Sequence, residues 1–247
     1  MSDQTLASRG NKDFNWNGFN SDWYKDHNYY KLREDDRQIL EIVREHFSVE
    51  QRRGLRGIDV GSGSNLYPAM SMLPFCDSIT MYEYASTNRD WLNGQKTDPD
   101  STWQPFWQEL CHAEQYRRIG DGWTGRLDRL HVVAGDVLEL APEERYDLGT
   151  MFFVAESISS DVAEFDEAVK RFCRVFRSQG RFAAGFIKES EGYRVDETWY
   201  PAVSVDGNQV AQRFQELGVR VDIHEIDLIN PFREGYGGMI VATGTID

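Results

Sequence analysis

Apolar and polar residues along this 247-residue chain fall into two regimes. Near the start, Ile39, Leu40, Ile42, Val43 and Phe47 recur at the spacing of one helical face, which predicts an amphipathic helix. From residue 55 onward, short apolar runs at 55–60, 78–82, 130–133, 148–153 and 181–187 are each bounded by Gly, Asp or Ser. Helical stretches such as 164–176 lie between them, an alternation that predicts a mainly parallel sheet with helices on both faces. Two further β-like runs, 219–226 and 239–246, have no helix between them and predict a C-terminal antiparallel hairpin.

Ahead of the first helix, Trp16, Phe19, Trp23, Tyr24, Tyr29 and Tyr30 make an aromatic-rich segment. Residues 1–17 are polar and read as a mobile N-terminus. Residues 18–247 read as a single α/β domain, with 18–50 an aromatic and helical cap. The stretch 93–128 is long for a connection between strands. Its Trp103, Phe106, Trp107, Leu110 and Tyr116 predict a helical insertion packed on the body.

Composition narrows the function. Forty-one acidic and 27 basic residues give a net charge of −14, which argues against a nucleic-acid partner because phosphate contacts need a basic face. No apolar run approaches the roughly 18 residues that span a bilayer, and the first ten residues lack the apolar stretch of a secretory signal. A cytoplasmic protein with no membrane partner is expected. Cys76, Cys111 and Cys173 are scattered without metal-ligand spacing, so reduced, packed thiols and no metal are expected.

The chemistry is concentrated at strand ends. The first strand runs into Gly61-Ser62-Gly63, where glycines let the backbone turn sharply and approach a ligand. A nicotinamide fingerprint would place a third glycine at the position of Leu66, and it is absent. The second strand ends on Glu83-Tyr84, an acid placed to grip ribose hydroxyls. The third ends on Gly135-Asp136-Val137, where a carboxylate and a backbone amide would meet an adenine edge. Three such turns at successive strand ends occupy the edge where parallel α/β sheets bind ligands.

With these residues in view, the chain resembles the family of small-molecule methyltransferases that includes the nicotinamide, phenylethanolamine and thioether methyltransferases. The resemblance runs from about Phe19 to the C-terminus. It rests on Phe19-Asn20 with Tyr24 and Tyr29-Tyr30, on 58–63 with Tyr67, and on Glu83-Tyr84 with Asn88. Trp103, Cys111 and Glu114 in the insertion, and Gly135-Asp136-Val137, add to it. The resemblance implies a Rossmann-like class I methyltransferase fold with a seven-stranded sheet, using S-adenosylmethionine and leaving S-adenosylhomocysteine. Tyr24 and Tyr30 would close over the cofactor. Gly61, Ser62, Gly63 and Tyr67 would face its methionine end, Glu83, Tyr84 and Asn88 its ribose and adenine, and Asp136 and Val137 its adenine. Two departures from the family pattern are Glu83, where Asp is usual, and Ser64, where Pro is common.

Methyl transfer from a sulfonium needs the acceptor lone pair held in line, and an amine acceptor must also lose a proton. Glu156 follows the fourth strand and Glu189 the fifth, and both match the acids that contact the amine in the phenylethanolamine branch. With Tyr24 they are the candidate catalytic residues. Tyr193, Trp199 and Glu234 complete the candidate substrate site. The nicotinamide branch carries an aspartate where this chain has Phe186, which disfavours nicotinamide. The expected activity is N-methylation of a small-molecule amine by a monomer or weak homodimer. Alternatives are O- or S-methylation of a small metabolite, a nicotinamide-dependent oxidoreductase, or cofactor binding without catalysis.

Overall fold

The apolar runs form a seven-stranded sheet in the order Leu130–Ala134, Cys76–Glu83, Leu55–Val60, Tyr146–Phe152, Phe176–Lys188, Gly238–Thr245, Val221–Ile226. The computed structural model describes residues 9–142, 146–227 and 237–247. Helices α1 (Ser21–Tyr29) and α2 (Glu34–Ser48) precede β1 (Leu55–Val60), and α3 (Tyr67–Met70) leads to β2 (Cys76–Glu83). Then come α4 (Ser86–Thr97), α5 (Trp103–Leu110), α6 (Glu114–Arg117) and β3 (Leu130–Ala134). After β4 (Tyr146–Phe152), α7 (Val162–Arg174) and β5 (Phe176–Lys188), a small hairpin of β6 (Tyr193–Val195) and β7 (Thr198–Tyr200) forms a separate two-stranded sheet. α8 (Gly207–Glu216), β8 (Val221–Ile226) and β9 (Gly238–Thr245) close the fold.

Strands β1 to β5 are mutually parallel, so their carboxyl ends share one edge. β8 and β9 pair antiparallel as expected, but β9 also lies antiparallel to β5 over eight residue pairs. The last strand is therefore an interior one. The 193–200 hairpin is an element that apolar periodicity did not reveal, because its strands are only three residues long.

Amphipathic helices cover both faces. α2 buries Ile39, Leu40, Val43 and Phe47, and α7 buries Phe165, Ala168, Val169, Phe172 and Cys173, each set at helical spacing. Asp161 caps α7 by accepting from the Ala163 N–H at 2.9 Å. The 93–128 insertion is helical and packed, with Trp103, Phe106, Trp107, Leu110, Tyr116 and Trp123 all buried. Each such aromatic contributes about 2–3 kcal/mol by area. Packed chain starts earlier than the expected boundary after residue 17. Asn11 is 3% exposed, and its N–H donates to Glu164 of α7 at 2.7 Å. A polar sequence did not mean loose chain there, because its amides find partners on the body.

Candidate functional site

At the carboxyl end of β1 the chain turns with left-handed backbone at Gly61 (φ 65°) and Gly63 (φ 56°). A β-carbon on Gly61 would stand 2.6 Å from both γ-carbons of Val154, so space and conformation both demand glycine. The Gly61 N–H donates to the Tyr82 carbonyl at 2.7 Å, and the Gly63 N–H to Glu83 Oε2 at 2.8 Å. Glu83 Oε1 accepts from the Ala85 N–H at 2.7 Å and from Asn88 Nδ2 at 3.3 Å. Asn88 Oδ1 in turn accepts from Ser21 Oγ at 2.7 Å. The strand-end acid is thus held from both sides, and burial raises its pKa above the ordinary value.

At the end of β3, Asp136 caps the next turn by accepting from the Leu138 N–H at 2.9 Å. Asn11 Nδ2 lies 3.1 Å from each of its carboxylate oxygens. Burial raises the Asp136 pKa as well. Gly135 is required because a β-carbon there would overlap the Tyr82 ring.

These turns line a cleft that, with the solvent open to it, encloses about 780 Å³. The segment 9–20 runs over it as a strap. Its Trp16 stacks on Tyr200 with centroids 4.9 Å apart, and Phe19 tilts against the same ring at 5.4 Å. Asn17 Oδ1 accepts from the Ser86 N–H at 2.9 Å, and Asn20 Nδ2 donates to Asp196 at 3.1 Å.

Of the residues expected from sequence, Gly61, Ser62, Gly63, Glu83, Tyr84, Asn88, Asp136 and Val137 line this cleft, as do Tyr24 and Tyr193. Tyr30 does not. It is 51% exposed, with the Lys31 ammonium 5.2 Å from its ring, and the lining tyrosine is its neighbour Tyr29. Tyr30 is the residue that ends α1, so it falls past the face turned toward the cleft. Trp199 is also absent from the lining. It is 60% exposed on the outer face of the β6–β7 hairpin, against Gly192, and Tyr193 and Tyr200 are the inward residues. Tyr67 sits behind the wall, buried, with Oη lacking a hydrogen-bond partner among the described residues. Glu234 lies outside the described residues.

Glu156 is fully buried and does not line the cleft. Its Oε1 accepts from the Ile187 N–H at 2.8 Å, its carbonyl accepts from the Val203 N–H at 2.7 Å, and Oε2 has no partner among the described residues. Burial pushes its pKa up to about 7. Glu189 is exposed at the end of β5, with left-handed backbone (φ 56°), beside Gly237 and outside the cleft. A second, smaller cleft, open to solvent, shares Tyr24, Tyr29 and Phe153 with the first. Asn28, Arg33, Asp35, Asp36, Ile187 and Met239 complete it. Phe153 holds a left-handed conformation (φ 61°) in the wall between the two, fixed by its N–H donating to the Gly185 carbonyl at 2.7 Å.

Sequence reasoning missed Asn11, Trp16, Phe19, Asn65, Phe152 and Ser157, all in the lining. Phe152 and Ser157 belonged to stretches already singled out for a strand and for Glu156, whereas nothing local marks Asn11. A glycine cradle, a pair of buried strand-end acids and the buried Ser64 hydroxyl, which has no partner among the described residues, fit a nucleoside bearing a polar amino-acid tail.

Among solved structures, the magnesium protoporphyrin IX methyltransferase ChlM from Synechocystis superposes with a TM-score of 0.62 at 12% identity, covering 98% of this chain and 100% of that one. The N-methyltransferase NodS from Bradyrhizobium japonicum gives 0.55 at 12% identity, covering 93% and 94%. These share the class I methyltransferase fold. In sequence, phenylethanolamine N-methyltransferase from Macaca mulatta is 24% identical over 199 residues, 74% of this chain and 68% of that protein. The model of the NNMT/PNMT/TEMT family matches residues 4–241. With nearly the whole length matched, the chain belongs to that family of S-adenosylmethionine-dependent methyltransferases.

Proposed function

We propose that the protein methylates the nitrogen of a small-molecule amine held in the second cleft, with Glu156 receiving the proton. The bound cofactor supplies an electrophilic sulfonium methyl group. The rest of the task falls to the chain: excluding water, orienting the acceptor and removing its proton.

The observation that carries this reading is Glu156. Its Oε1 is fixed to the amide of Ile187, a residue that lines the second cleft, while Oε2 has no hydrogen-bond partner among the described residues. A pKa near 7 makes it a fair proton acceptor at neutral pH. Asp35 and Asp36 add negative charge to the same cleft and Arg33 a single positive one, a balance that favours a cationic acceptor. Tyr24, Tyr29 and Phe153, common to both clefts, stand where the two ligands would meet. Glu189 fits less well, since it would have to turn in from the surface.

Radiolabelled methyl transfer to panels of small amines, phenols and thiols tests the reading. Transfer to amines, with loss of at least 10-fold in Glu156→Gln at pH 7, supports it. Transfer only to phenols or thiols rejects the amine.

A further inference from the structure

From the contacts of Asn11 we infer that this residue, contributed by the strap, reads the adenine of the cofactor by accepting the second hydrogen of its amino group. The inference rests on the cofactor assignment and goes beyond it in naming a specificity residue.

The argument starts at Asp136. A carboxylate only accepts hydrogen bonds, so the Asn11 group facing its two oxygens at 3.1 Å is the amide nitrogen. That fixes which way the amide points. Its carbonyl, Oδ1, has no hydrogen bond among the described residues, although Asn11 is only 3% exposed and lines the cleft. The backbone around it is well anchored. The Asn11 N–H donates to Glu164 at 2.7 Å, and its carbonyl accepts from Trp16 Nε1 at 3.0 Å. The Arg9 N–H donates to Ser160 Oγ at 2.9 Å one turn earlier. An amide held this firmly in the lining of a ligand cleft, its nitrogen on Asp136 and its oxygen without a hydrogen bond among the described residues, is suited to be a recognition group.

The chemistry of the ligand matches. Adenine carries two N–H donors on its exocyclic nitrogen. Asp136 can take one, and Asn11 Oδ1 lies beside it as the acceptor for the other. A 6-oxo purine puts an acceptor at the same place, opposite two acceptors of the protein: Asp136 keeps only its bonds from Leu138 and Asn11, and Asn11 Oδ1 gains none. Sites built around such pairing reject the mismatched ligand strongly.

The test is calorimetric binding of S-adenosylhomocysteine and of its 6-oxo counterpart, S-inosylhomocysteine, to wild type and Asn11→Ala. Wild-type binding of S-adenosylhomocysteine tests the cofactor assignment by itself, and with folded protein that fails to bind it both readings fall. Wild type is expected to prefer the adenosyl ligand by on the order of 100-fold. Asn11→Ala should bind the adenosyl ligand about 3- to 10-fold more weakly and the inosyl ligand no more weakly than wild type, so the preference narrows. Equal losses for the two ligands would mean that Asn11 only braces the strap, and that result overturns the inference. An unchanged preference, or tighter binding of the adenosyl ligand by the variant, overturns it as well. The second of these would make Asn11 a competitor for Asp136.

Discussion

The Gly63 N–H donates to Glu83 Oε2 at 2.8 Å, so the turn that ends β1 and the acid that ends β2 form one hydrogen-bonded unit. Replacing the acid should therefore cost twice, removing a ligand contact and releasing the turn. Glu83→Ala is expected to weaken S-adenosylhomocysteine binding by about 1.5–3 kcal/mol, the scale of hydrogen bonds to a charged group. Asp136→Ala should act in the same direction. Titration calorimetry showing wild-type affinity in both variants would place the cofactor elsewhere.

Gly61→Ala puts a β-carbon 2.6 Å from both γ-carbons of Val154 at a φ of 65°. A loss of about 1–3 kcal/mol in stability is expected from conformation alone, with the clash adding to it. Removing the clash in Gly61→Ala/Val154→Ala should recover only part of the loss. Full recovery in urea unfolding would show that the conformational demand is slight.

Glu156→Gln keeps the hydrogen bond from Ile187 but removes the proton acceptor. The wild-type rate should rise with pH through about 7 as Glu156 ionises, and the variant should lack that limb. Glu189→Gln, changed outside both clefts, should stay within about 3-fold of wild type. A pH–rate profile of Glu156→Gln that overlays wild type would remove Glu156 from the reaction.

Stability should depend on pH through the same physics. Asp59 is buried beneath the glycine turn, with Oδ1 accepting from Thr150 Oγ1 at 2.6 Å and Oδ2 lacking a partner among the described residues. Burial first, then the charge of Glu83, pushes its pKa to about 7. A carboxyl with a folded pKa above its unfolded value favours folding below pH 4, and that contribution is lost as pH rises toward 7. Ligand-free protein should therefore lose stability across this window, by on the order of 4 kcal/mol from Asp59. Asp59→Asn should flatten the slope. Unfolding curves at pH 5 and pH 8 with the same variant-to-wild-type difference would contradict it.

The strap and α1 should tighten when ligand fills the cleft, since Asn11, Trp16, Phe19, Tyr24 and Tyr29 all line it. Amide hydrogen exchange over residues 9–30 should slow with S-adenosylhomocysteine. Unaltered exchange at saturating ligand would mean that the strap is indifferent to occupancy.

What the sequence made legible is what local chemistry decides. Gly61 and Gly63 advertise left-handed backbone, and Glu83 and Asp136 stand at strand ends that apolar runs locate within a residue or two. Where a side chain points is settled by packing from elsewhere. Choosing Tyr29 over Tyr30 requires knowing where α1 stops, and Trp199 faces outward because Tyr193 and Tyr200 stack on the inner side of the hairpin at 5.5 Å. Asn11 meets Asp136 across 125 positions, a pairing that no window along the chain contains. Glu156 was placed on the right strand end, yet its burial follows from the Ile187 and Val203 amides, which belong to later elements.

The position of β9 sets an order of assembly. Strands β1 to β5 can pair as they are made, but β8 precedes in the chain β9, its one neighbour in the sheet among the described residues. β9 lies between β8 and β5, pairing Met239 with Ile226 on one side and Gly238 with Lys188 on the other. Consecutive antiparallel strands can pair locally, so β8 and β9 can join as a hairpin and add to the sheet along β5 as one unit. Until that hairpin docks, the row of backbone amides along β5 that β9 will pair stands open, and such an exposed strand edge is a template for wrong partners.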